Sequence, residues 1–144
     1  MMAENIATPD RFGHTPLMLA AREGNLPEVQ SLLQRNADLS AVSNKGKTAL
    51  HYASANGHTA IIRLLVASGA DVNIRDHEWH TPLMLAAIYG CDESVRALLE
   101  AGADPLAMTL AGNTALVYAE NHDHPATLSL LRSWQRPKPH TAMA

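Results

Sequence analysis

Gly46-Lys47-Thr48-Ala49-Leu50-His51-Tyr52-Ala53, followed by Gly57-His58 and then Ile61-Ile62-Arg63-Leu64-Leu65-Val66-Ala67-Ser68-Gly69-Ala70-Asp71-Val72-Asn73, returns along the chain at a spacing of 33 residues. Thr15, Thr48, Thr81 and Thr114 fall in register, as do Leu17, Leu50, Leu83 and Leu116, and Ala20, Ala53, Ala86 and Ala119. A fixed period of this size marks a stack of supersecondary units, each burying its apolar side against the next.

Within one period the punctuation is that of a helix pair. Thr15 stands where a hydroxyl accepts from the free amides of a helix start, and Pro16 sits at the first helical position, where its missing amide costs nothing. A first helix over about 16–22 carries Leu17, Ala20 and Ala21 and stops at Gly24. Pro27 opens a second, with Val29, Leu32 and Leu33 at helical spacing. Asn36 takes the place of Gly69 and Gly102, and tolerates a left-handed cap nearly as well. In the second and third copies Thr59 and Asp92 are expected to cap the second helix. Trp79 departs from the plan, standing where the other copies have Gly13, Gly46 and Gly112.

The repeats resemble the ankyrin repeat in Gly13-His14-Thr15-Pro16-Leu17 and in Gly69-Ala70-Asp71-Val72-Asn73, over residues 10–134. The resemblance implies an all-α solenoid of stacked helix pairs with β-hairpin-like fingers between them. Four repeats are expected, about 10–42, 43–75, 76–108 and a degenerate 109–134, preceded by a lead-in (1–9) and followed by a flexible tail (135–144).

The copies differ where an array should end. One helix-two position reads Glu28, Ile61, Ser94, Thr127, and another Ser31, Leu64, Ala97, Leu130, so the first copy is polar in both. In the fourth, Arg132 replaces Leu33, Val66 and Leu99, and Glu120 replaces Ala21, Ser54 and Ala87. Terminal repeats need a wettable outer face, so the chain reads as a complete array capped at both ends.

Composition bounds the function. At 144 residues, 47% hydrophobic and 17% charged, the chain is globular rather than disordered. With aromatics at 4%, its core must be built from Leu, Ala, Ile and Val. A net charge of −3 without a basic stripe argues against a nucleic-acid reader. One cysteine, Cys91, excludes an internal disulfide and fits a reducing compartment. With neither a secretory signal nor an apolar run of membrane length, a cytoplasmic monomer is expected, with no membrane partner.

The eight histidines include His77-Glu78-Trp79-His80 and His122-Asp123-His124, but neither pair has a third ligand nearby in sequence, so no metal site is expected. His51 and His58 match family histidines with structural roles. No nucleophile elbow, phosphate loop or dinucleotide fingerprint occurs, and a short solenoid offers a shallow surface, so neither an enzyme nor a cofactor is expected.

The resemblance implies a concave face, made of fingertips and helix one, that grips another protein. Carried over by register, that face takes Arg11, Phe12 and His14 from the first repeat, with Arg22 and Glu23, and Lys45 and Lys47 from the second, with Asn44, Ala55 and Asn56. The third supplies His77, Glu78, Trp79, His80, Ile88 and Tyr89; the fourth supplies Leu110, Ala111, Asn113, Asn121 and His122. Phe12, Trp79 and Tyr89 are aromatics at positions expected to be exposed, as interface anchors are. Trp79 has a second reading, as a strap folded onto a neighbouring finger. Tyr52 and Tyr118 occupy a helix-one position in register with Leu19 and Leu85 and are expected to be semi-buried in packing. The run from Leu65 to Asn73 also resembles a site that an asparagine hydroxylase modifies in animal ankyrin proteins, although it is ordinary family consensus. The expected function is protein–protein interaction, as a scaffold or an occluding inhibitor. The alternatives are a self-associating structural block and a metal-dependent or hydrolytic site using Asp76, His77 and His80.

Overall fold

The computed structural model describes residues 7–135, and among them the chain forms eight α-helices and no strand. They come in pairs: α1 (Pro16–Glu23) with α2 (Leu26–Gln34), α3 (Ala49–Ala55) with α4 (Thr59–Ala67), α5 (Pro82–Ile88) with α6 (Asp92–Glu100), and α7 (Ala115–Asn121) with α8 (Pro125–Gln135). The first helices stack in the order α1, α3, α5, α7, and the second helices stack behind them. This is the expected all-α solenoid. The lead-in at 1–6 and the tail from 136 lie outside the described residues.

Each first helix starts on its in-register threonine, whose hydroxyl accepts from the amide three residues on: Met18, His51, Met84 and Val117. In three copies the favour is returned. Met18 Sδ, His51 Nδ1 and Met84 Sδ accept from the threonine amide, closing a capping box. Val117 has no acceptor, so the fourth helix keeps only half of it. Small side chains then bring the helices together: Ala21, Ala53, Ala86, Ala87 and Ala119 are fully buried among Leu17, Leu50, Leu65, Leu83, Leu98 and Leu131.

Two caps differ from expectation. The N-cap residues of α4 and α6 are His58 and Cys91, and neither side chain caps its helix. The tight turn after a left-handed glycine brings the chain into the helix one residue early, so Thr59 and Asp92 are already helical. Their side chains face the next repeat instead: Thr59 Oγ1 lies 2.9 Å from Ser94 Oγ, and Asp92 accepts from Thr127 Oγ1. Asn36, by contrast, takes the left-handed cap at φ 65°, where Gly69 and Gly102 have 106° and 99°.

The fingers are single tight turns: Asp10, Ser43, Asp76 and Thr109 donate their amides to the carbonyls of His14, Lys47, His80 and Asn113 at 2.9–3.0 Å. Each later finger is hung on the one before it by one backbone bond: Asn44 N to Phe12 O, His77 N to Lys45 O, and Leu110 N to Glu78 O. One rung per neighbour is too little for a strand, which is why the hairpin-like fingers carry no sheet. At the far end Glu120 and Arg132, the two substitutions that mark the last repeat, lie 3.9 Å apart on the exposed face. No described helix is long and apolar enough to cross a membrane.

Gly46 and Gly112 are equivalent in backbone, at φ 81° and 84°, but not in surroundings. A Cβ on Gly46 would meet His77 at 2.5 Å, whereas one on Gly112 meets nothing within 4 Å. Alanine costs about 1 kcal/mol of left-handed strain at either site. Gly46→Ala is therefore expected to be the more destabilising by a further 1 kcal/mol or so, the cost of overpacking, in urea unfolding. Equal losses would mean that the fingers do not press on one another.

Candidate protein-binding face

Every finger is organised by its first side chain. Asp10 Oδ1 accepts from the amides of Phe12 and His14, Asp76 Oδ1 from those of Glu78 and His80, Ser43 Oγ from those of Lys45 and Lys47, and Thr109 Oγ1 from that of Asn113. The short acceptor binds its own backbone two and four residues on, and the tip residues are turned outward. Phe12 is 52% exposed, and Arg11, Lys45, His77 and Glu78 are exposed with it.

Three predicted site residues are drawn into the scaffold. Lys47 Nζ donates to the Asp76 carboxylate, whose side chain is 1% exposed. His80 Nδ1 lies 3.5 Å from that carboxylate and its Nε2 3.1 Å from the Tyr118 hydroxyl, so one network ties fingers two and three to α7. Burial alone would raise the Asp76 carboxyl, but the Lys47 ammonium and the amides of His80 and Glu78 outweigh it and hold it below its ordinary value. Asp76 is thus paired by Lys47 and by the finger amides, while His80 Nδ1 has no hydrogen-bond partner among the described residues. Ile88 is half-buried, and its carbonyl accepts from His124 Nε2 at 2.8 Å.

Trp79 is 41% exposed and holds φ 70°, an uncommon conformation for a bulky residue. Its ring is covered on one face by Arg75, with the guanidinium carbon 4.1 Å from the centroid. In place of the expected contact with a neighbouring finger, the ring contact that the structure shows is thus with Arg75, just before its own finger. That contact is worth about 0.5–1 kcal/mol at such a site, comparable to the strain. Tyr89 stands 61% exposed at the C-cap of α5. Tyr52 and Tyr118 are half-buried as expected.

The structure brings Phe12, His14, Lys45 and Lys47 together around a cleft of about 380 Å³ between the first two fingers, completed by Arg22 and Tyr52. The His14 ring meets Tyr52 edge-on at 5.4 Å and Phe12 at 5.8 Å. The sequence reading weighted the third repeat and left Tyr52 to packing, so this cleft was missed as a unit. Also missed were Leu106 and Met108, 64% and 55% exposed beside Leu110. Nothing in the repeat pattern marks them, because they lie in the irregular turn before the last finger.

Three further histidines are structural. His58 Nε2 reaches Arg22 O at 2.9 Å, as His124 reaches Ile88 O. His51 is fully buried: its Nδ1 accepts from the Thr48 amide and its Nε2 donates to His80 O at 2.9 Å, which fixes the tautomer. Among the described residues no three His, Cys, Asp or Glu side chains are grouped to hold a metal. Burial, and then the Asp92 carboxylate, push the Cys91 thiol above 9.0, away from nucleophilic use. Asn73 is exposed, yet its side-chain amide donates to Gly102 O and accepts from Asp104 N, tying it to the next repeat.

Burial pushes His51 from 6.5 down to about 4, against partial compensation from its bond to the His80 carbonyl. The unfolded chain takes up this proton first, so the stability is fully present above pH 6.5 and drains between 6.5 and 4, by about 3 kcal/mol. His51→Gln should flatten that part of the pH profile of urea unfolding. An unchanged slope would assign the acid sensitivity to other groups.

Two family models for ankyrin repeats match the sequence, one of three copies over residues 2–76 and one of many copies over residues 65–119. No curated protein matches the chain at a significant level. Ankyrin repeats are generally protein–protein interaction modules and typically non-catalytic. With the first match alone covering more than half of its length, and with helix pairs, fingers and stacking in the same register, this chain belongs to the ankyrin repeat family.

Proposed function

We propose that this chain binds a partner protein through the face formed by its fingertips and the exposed ends of its first helices, acting as a scaffold or by occluding the partner's working surface. The observation that carries the reading is where the scarce aromatics lie. In a chain with aromatics at 4%, Phe12, Trp79 and Tyr89 are 52%, 41% and 61% exposed. Large side chains left in water on rigid turns supply apolar contact at little entropic cost, the property of interface anchors.

The rigidity has a physical source in the same residues. Each tip is held by backbone bonds to its own first side chain and, after the first finger, to the finger before it. The free face is therefore preorganised, and a partner need not order it on docking. The wider reading is of a monomer in a reducing compartment such as the cytoplasm, consistent with a single cysteine.

The test is affinity capture from lysate of the native cell, comparing wild type with the Trp79→Ala/Tyr89→Ala pair. One stoichiometric protein should be retained by the wild type, and its binding weakened by about 2 kcal/mol, roughly thirtyfold, in the pair. Circular dichroism should show the stack intact. Equal capture by both would move the site off the third repeat, and a loss of melting temperature in the pair would make Trp79 a strap first.

A further inference from the structure

The cleft between the first two fingers has a composition unlike the rest of the molecule. The chain carries a net charge of −3, yet Arg22, Lys45 and Lys47 line this cleft and no carboxylate does. Two of the acids around it are already engaged: Asp76 holds Lys47, and Asp10 Oδ2 lies 3.1 Å from His14 Nδ1, while the exposed Glu78 lines a neighbouring groove with Lys45. Among the described residues neither Arg22 nor Lys45 has an ion-pair partner. Arg11 adds a fourth cation beside it, its guanidinium 4.8 Å from the centre of the Phe12 ring.

Between these cations the walls are aromatic. Phe12, His14 and Tyr52 form a contiguous cluster, and the Tyr52 hydroxyl is engaged in donating to Ser43 Oγ at 3.0 Å, also in the wall of the cleft. With its hydroxyl satisfied, Tyr52 contributes chiefly the apolar part of its ring to the lining. A volume of about 380 Å³ lies at the small end of ligand pockets, roughly 300–1,000 Å³. It suits a side chain or two rather than a cofactor.

We propose that this cleft recognises an acidic, extended peptide segment of the partner, seating an aromatic or aliphatic side chain against Phe12 and Tyr52 and a carboxylate against Arg22 and Lys45. The guanidinium of Arg22 offers a planar fork that matches a carboxylate, and Lys45 adds a point charge. In an extended chain residues two apart point the same way, about 6.6 Å along the strand. The motif is therefore an apolar residue with Asp or Glu two positions away. This deepens the binding function proposed above and rests on it, but uses a different part of the face from Trp79 and Tyr89.

The experiment is selection of a displayed library of random dodecapeptides on the full chain, and in parallel on the Arg22→Glu/Lys45→Glu variant, read by sequencing. The wild type should enrich Asp or Glu two positions from Phe, Tyr, Trp or Leu. The reversed variant should lose that preference and enrich Lys or Arg at the same spacing, an exchange that a merely structural role would not produce. A synthetic peptide of the enriched class should bind the wild type at least about tenfold more tightly than its Glu→Gln counterpart, and more weakly as salt rises. No acidic enrichment, or the same enrichment on both proteins, would overturn the inference. So would a labelled single-stranded oligonucleotide that bound the wild type and competed with the peptide. If capture in lysate still fails with the Trp79/Tyr89 pair while the library shows no acidic preference, only this inference falls and the binding function stands.

Discussion

No repeat of this chain can bury its apolar side alone. Helices of seven to eleven residues are too short to be stable by propensity, and each presents its Leu, Ile and Val side chains to the next copy rather than to a core of its own. Neighbour stacking is therefore the interaction on which everything else depends. It explains why helix-one positions 20, 53, 86 and 119 are alanine and buried, since a larger side chain would hold the helices apart. It also explains why the last repeat carries Glu120 and Arg132 where earlier ones are small or apolar, for nothing described stacks on that face.

The fingers extend the same dependence into the polar part of the molecule. Each turn is closed by an Asp, Ser or Thr at its first position, and each later one is hung on the previous finger by a single backbone bond. Polar groups engaged in this way are spent on shape, and Lys47, Asp76 and His80 show the consequence. They are charged or titratable residues at the expected face, but they bond to one another and to Tyr118 instead of facing solvent. What remains exposed is a set of tips whose backbone is fixed and whose side chains are free. That division gives the face fixed tips with adaptable ends, the preorganisation that favours binding.

The helices were legible in the sequence because their signals are local. Threonine and proline mark the starts, glycine or Asn36 marks the ends, and the leucines keep a helical spacing. Thr59 and Asp92 were misread as caps because the turn before them is one residue shorter than the residue types suggest, and their side chains reach the next repeat instead. The candidate face was legible only by register. Phe12, Trp79 and Tyr89 are exposed where the period put them, but their neighbours were not foreseen. Trp79 lies under Arg75, just before its own finger, and Phe12 shares a cleft with Tyr52 and Arg22.

By itself the sequence determined the number of repeats, their phase and their helices, because a period of 33 is a property of each copy and needs no knowledge of the others. Only the tertiary structure decided which side chains meet between copies. Lys47 with Asp76, His51 with the His80 carbonyl and His80 with Tyr118 are 29 to 38 residues apart, separations near one period but not equal to it. Those offsets join different positions of neighbouring repeats, as when the last residue of one finger meets the first of the next. Which side chains meet across them is a property of packed volumes, which a pattern of residue types does not contain.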